Sequence, residues 1–141
     1  MKTILLPIKL GNNTLGLFQN AQSIASEKNA SLILLHVIRK QPYDNGTFSP
    51  DTDIHHQVVR EAKMILEQLS RSAIRNGILA RVMVVDGNPA EQIVNVAKKN
   101  RVDLILIDSP CGKHGCISEQ VLTSSPCSVL TLSAESNLVA A

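Results

Sequence analysis

Apolar residues fall along this chain in two alternating rhythms. Five short runs are almost wholly apolar: Thr3 to Ile8, Ser31 to Ile38, Ala80 to Val85, Val102 to Ile107 and Ser128 to Leu132. A strand covered on both faces requires that continuity. Between these runs the apolar spacing widens to three and four residues, the repeat of a helix lying on a sheet. Leu17, Ala21, Ile24 and Ala25 share one face of a first helix, with Thr14 as its cap and Lys28-Asn29 closing it. Ile54, Val58, Val59, Ala62, Ile65, Leu66, Leu69 and Ala73 form the apolar stripe of a long helix over Thr52 to Asn76, which Asn76-Gly77 stops. Ala90 to Lys99 turns Ile93, Val94 and Ala97 inward, with Asn88 as cap and Pro89 at the first helical position. A short helix, Ile117 to Leu122, carries Ile117, Val121 and Leu122, and Pro126 stops it.

Strand and helix thus alternate from end to end. Five apolar strands separated by helices imply an α/β three-layer sandwich, a five-stranded parallel sheet with helices on both faces and right-handed crossovers. Lys9 to Thr14 is a polar connection, and Arg39 to Asp51 is a loop long enough to act as a flap. Asp86-Gly87-Asn88-Pro89 makes a turn. Asp108, Ser109, Pro110 and Gly112 break the fourth strand at its carboxyl end, where open α/β sheets place ligands, so the loop from Asp108 to Cys116 is the expected edge of a site. Neither a Gly-x-Gly-x-x-Gly after the first strand nor a P-loop sequence is present.

Composition narrows the class. The chain of 141 residues reads as a single domain, 1–141, without a low-complexity linker. Two Phe, one Tyr and no Trp leave the core to aliphatic residues and argue against a surface that stacks bases, so no nucleic-acid partner is expected. A formal charge of +2 steers no partner strongly. The apolar run at Ile4 to Ile8 is too short for a signal peptide or a membrane span, and three cysteines fit a reducing compartment, so a soluble cytoplasmic protein without a membrane partner is expected.

Several segments, taken in order, resemble the universal stress protein (UspA) superfamily over nearly the whole chain. Ile4-Leu5-Leu6-Pro7-Ile8 and Leu35-His36-Val37 are similar to its first two strands. Val85 to Ile93, with Gly87-Asn88-Pro89, resembles the Gly-x-Pro turn and following helix. Val102-Asp103-Leu104-Ile105-Leu106-Ile107 matches its fourth strand, and Ser118 to Leu122 with Ser125 to Leu130 its closing helix and strand. The resemblance implies strand order 3-2-1-4-5 and a homodimer formed through the last strand, Ser128 to Leu132. It also implies where ATP would bind: ATP-binding members carry an Asp just after the first strand and a Gly-x-x-Gly, nine residues, Gly-Ser/Thr pattern after the fourth. Here Lys9 occupies the Asp position. Aligned from the fourth strand, Asp108 and Cys111 replace the first two glycines; aligned backward from Ser118, Gly115-Cys116 meets the final pair. The loop is therefore short. Because a phosphate loop needs glycine to turn its N–H groups toward the anion, no tightly bound ATP is expected.

The candidate cofactor-binding residues are accordingly Lys9, Asp108, Gly112, Lys113, Gly115 and Cys116. Lys9 and Asp108 end neighbouring central strands in the implied order. They form either a remodelled anion site with Lys113 or, as expected, a salt bridge that closes the old pocket. Gly112 to Gly115 is either a phosphate cradle or a tight surface turn. Cys111, His114 and Cys116 lack the short spacing of a zinc site, and Cys127 belongs at the opposite end of the sheet. His36 reads as a partly buried sheet residue, His55-His56 as helix surface, and Asp86 and Asp103 as structural hydrogen-bonding positions. Ser109 has no nucleophile-elbow context and no carboxylate pair has catalytic spacing, so the chain is not expected to be an enzyme. The leading class is a non-catalytic, dimeric stress-response protein acting on an unidentified partner protein. A nucleotide switch holding ATP or AMP is the alternative, and a metal or redox sensor a third.

Overall fold

The computed structural model describes residues 2–9, 14–38, 53–108 and 117–132, with the backbone alone at 53–55, 108 and 117–119. Strands β1 (Lys2–Pro7), β2 (Ala30–Ile38), β3 (Ala80–Asp86), β4 (Leu104–Asp108) and β5 (Ser128–Leu132) alternate with helices α1 (Thr14–Lys28), α2 (Asp53–Arg75), α3 (Pro89–Lys99) and α4 (Ile117–Ser124). All four strand pairings are parallel, and the order is β3-β2-β1-β4-β5, as the family resemblance implied. The chain builds outward from β1 to β3 and then crosses back to add β4 and β5, so the order reverses between β1 and β4.

Because side chains alternate along a strand, the sheet feeds two separate cores. Ile4, Leu6, Leu32, Leu34 and Leu106 pack with Phe18, Ala21 and Ala25 of α1 and with Leu66 and Ala73 of α2. Leu5, Ile33, Leu35, Ile105 and Ile107 pack with Ala90, Ile93, Val96 and Ala97 of α3 and Val121 of α4. Helices therefore cover both faces. The expected inward residues Ile93, Val94 and Ala97 are all buried.

Two helical stripes are narrower than their apolar content suggests. In α2, Ala62, Leu66 and Ala73 are buried, whereas Val58 and Ile65 are each 41% exposed. Those two lie seven residues apart on one flank of the buried line, so a single sheet face does not reach them. Leu122 of α4, also expected to face the sheet, is exposed for the same reason, while Val121 is wholly buried. Ile54 and Ile117 are among the residues whose side chains lie outside the description, as does the long loop expected over Arg39 to Asp51.

The fourth strand begins later than its apolar run. Val102 is buried but belongs to the end of α3: its N–H donates to the Ala97 carbonyl at 3.0 Å, and the Arg101 N–H donates to that of Lys98 at 3.4 Å. This pair of bonds is a Schellman closure with Arg101 at φ 50°. Asp103 follows as a clamp rather than a strand residue. Its carboxylate accepts the Thr3 N–H at 2.8 Å, and its own N–H donates to the Thr3 carbonyl at 2.9 Å. The structural role expected for Asp103 is thus a specific one: it joins the amino ends of β1 and β4.

Candidate functional site at the carboxyl end of the central strands

Parallel pairing brings every strand's carboxyl end to one edge of the sheet, and the order reverses there between β1 and β4, the position at which open α/β sheets bind ligands. Ile4 pairs with Leu104 and Leu5 with Ile105. Counting forward in that register puts Asp108, the last residue of β4, level with Ile8. Lys9 is the next residue along and is exposed. The backbone therefore places Lys9 and Asp108 at the ends of neighbouring central strands, on the two sides of the reversal. The Asp108 side chain, and with it the expected ion pair, lies outside the described residues. So do Ser109, Cys111, Gly112, Lys113, His114, Gly115 and Cys116.

The exit from β1 is held by side chains from two other elements. Ile8 continues the pairing beyond the strand, donating its N–H to the Leu35 carbonyl at 2.7 Å. The Ile8 carbonyl meets Nδ1 of His36 at 2.8 Å, which requires that nitrogen to carry the proton. The next carbonyl, that of Lys9, accepts the Thr14 hydroxyl at 3.0 Å. Two successive carbonyls are thus occupied just where the chain leaves the sheet. His36 is half-buried, as expected of a sheet residue, and its ring fixes the segment bearing Lys9. Sequence alone could place His36 near the end of β2, but its bond to Ile8 depends on the β1–β2 register.

The far side of this edge is the β3–α3 turn. Ile38 pairs with Asp86, and the Gly87 N–H donates to the Ile38 carbonyl at 3.0 Å. Asn88 caps α3 as expected: its side-chain oxygen accepts the Glu91 N–H at 3.1 Å, with Pro89 in the first helical turn. Cys127 sits at the other end of the molecule. It precedes Ser128, which pairs with Leu104 at the amino end of β4, and its N–H donates to the Ser125 hydroxyl oxygen at 3.2 Å. Among the described residues, no group of three His, Cys, Asp or Glu is placed to hold a metal ion.

Comparison with known proteins agrees with this architecture. The family model described as "Universal stress protein family" matches residues 1–133. Universal stress protein YxiE of Bacillus subtilis is 31% identical over 124 residues, spanning 78% of this chain and 84% of its own length. Among solved structures, hypothetical protein MJ0577 superposes with a TM-score of 0.78 at 25% identity, covering 94% of this chain and 95% of its own. A universal stress protein from Archaeoglobus fulgidus in complex with dAMP shares the fold, with a TM-score of 0.70 at 15% identity over 93% of this chain and 97% of its own. A separate universal stress protein structure, in complex with cAMP, has a TM-score of 0.69 at 18% identity, covering 94% of this chain and 97% of its own.

Proposed function

The chain belongs to the universal stress protein family, and we propose that it serves there as a non-catalytic, dimeric cytoplasmic regulator of the stress response that binds a partner protein and holds no tightly bound ATP. The observation that carries this reading is β5. Among the described residues it is the last strand of the sheet, paired with β4 on one side, and Leu130 is 43% exposed. An apolar strand with a free row of backbone donors and acceptors is normally protected. Antiparallel pairing with a second copy about a two-fold axis would satisfy both chains at once. Light scattering across a dilution series tests it: the expected mass is twice 15.3 kDa, and 15.3 kDa throughout would exclude the dimer.

A nucleotide-binding switch is the second reading. It is favoured by two proteins of the same fold that hold dAMP and cAMP, and by the reversal of strand order beside Lys9. Against tight ATP binding stand the cationic Lys9 at the family's Asp position and the short Gly112–Gly115 loop. Calorimetric titration with ATP and with AMP separates the readings. Dissociation constants weaker than about 10 μM, near −7 kcal/mol, are expected for both, and a tighter value for either would replace the first reading with the second.

A further inference from the structure

The edge opposite the candidate site, where the strands begin and the helices end, is strongly basic. Seven of the chain's fourteen Lys and Arg residues gather there: Lys2, Lys28, Arg75, Arg81, Lys98, Lys99 and Arg101, all exposed. Strand pairing fixes the grouping, since Lys2 is level with Ala30, which follows the end of α1, and Arg81 with Ile33. A hydrogen bond of 2.6 Å from the Arg81 guanidinium to the Asn100 side-chain oxygen ties the start of β3 to the end of α3. The described carboxylates at this edge are Glu27 and Asp103, and Asp103 is already engaged by the Thr3 N–H. A chain of net charge +2 therefore concentrates its positive charge at one end.

Helix chemistry explains part of this cluster but not all of it. Lys28, Arg75, Lys98 and Lys99 lie in the last turns of their helices, where cations are favoured by the helix dipole. Lys2 and Arg81 are strand residues and gain nothing from that effect. Arg101 is in the left-handed region at φ 50°, where Gly closes a helix without steric cost. A cation kept at a strained position within a basic cluster points to a use for its charge. The α2–β3 corner adds apolar surface beside Arg75 and Arg81, with Ile74 52% and Leu79 63% exposed. Apolar contact next to cations suits a protein ligand better than a phosphate backbone.

We propose that this strand-start edge is a docking surface for an acidic protein segment carrying apolar side chains, its carboxylates meeting Arg81, Lys98, Lys99 and Arg101 and its apolar residues meeting Ile74 and Leu79. This goes beyond the regulatory reading above and stands whether or not the chain dimerises or binds nucleotide. The test is fluorescence anisotropy with a labelled peptide of about twelve residues that mixes Glu, Asp and Leu, read at low and at moderate salt. The triple variant Lys98→Glu, Lys99→Glu, Arg101→Glu is compared with Arg60→Glu, Lys63→Glu, Arg71→Glu on α2, which changes net charge equally but elsewhere. The first set is expected to raise Kd about tenfold or more and the second less than about twofold. Replacing the peptide's leucines with serine, or Leu79 with Ser, should also weaken binding. Lys98→Gln with Lys99→Gln removes charge without repelling the helix dipole, so it gives a second reading if the reversed variant folds poorly. Equal losses from the two triple variants, no binding by the unaltered protein, or tighter binding of a DNA duplex of about twenty base pairs at the same salt would each overturn the proposal.

Discussion

Arg101 shows how one residue can be asked for two things at once. Its left-handed backbone lets Val102 close α3 on Ala97, while its side chain contributes to the basic edge. Arg101→Gly is expected to raise the unfolding free energy by up to about 1 kcal/mol, read as a higher urea midpoint, and to weaken binding of the acidic peptide. Gly87 and Gly77 are a second contrast at this scale. Both have positive φ, 138° and 84°, so any Cβ is strained. At Gly87 that Cβ would also meet Gln92 Nε2 at 3.0 Å and Cγ at 3.2 Å, whereas at Gly77 nothing lies within 4 Å. Gly87→Ala should therefore cost about 1–3 kcal/mol and exceed the cost of Gly77→Ala; equal urea midpoints for the two variants would refute the steric part of this account.

At the scale of elements, α2 separates apolar character from burial. Ile65 and Leu66 are adjacent and similar in size, yet Leu66 is wholly buried in the core with α1 and the sheet, and Ile65 is 41% exposed. Leu66→Ala is expected to destabilise by about 2–5 kcal/mol, the range for truncating a fully packed side chain. Ile65→Ala should cost less than about 1 kcal/mol. Denaturation of the two variants reads the difference directly. The same helix ends in a Schellman closure, with the Gly77 N–H on the Ile74 carbonyl at 3.0 Å and the Ile78 N–H on that of Ala73 at 2.9 Å. Asn76-Gly77 was readable as that stop because left-handed backbone there calls for Gly.

For the molecule as a whole, the two ends of the sheet have different work in the proposals above, and β5 has a third role. Successive N–H groups along a strand point to opposite sides, so of Val129 and Leu130 one donor faces β4 and the other faces away from it. Pro at either position removes one donor. Val129→Pro and Leu130→Pro, made separately, should therefore behave differently. One is expected to lower the urea midpoint, and the other to abolish the dimer in light scattering with little change in that midpoint. A dimer that survives both substitutions would place the interface elsewhere.

The chain's own pattern determined the elements and their class. Ile, Leu and Val runs read as strands, three- and four-residue spacing as helices, and Asn88-Pro89 as a capped start, because these signals are local and need no partner. The resemblance of its segments to a known family supplied the strand order, which local pattern cannot contain. The fold decided what depends on neighbours. Val102 is apolar and buried yet closes α3 rather than opening β4, because the Arg101 turn brings its N–H to Ala97. Val58, Ile65 and Leu122 have the right spacing to face the sheet, but one sheet face accepts only the centre of a helical stripe. Of the candidate site, sequence could number Lys9 and Asp108 as strand ends, and register then set Asp108 level with Ile8, one residue short of Lys9, across the reversal. The grip of His36 on the Ile8 carbonyl, and the gathering of Lys2, Arg81 and Arg101 at the opposite edge, join residues far apart in the chain. Only parallel pairing brings such residues to a common edge.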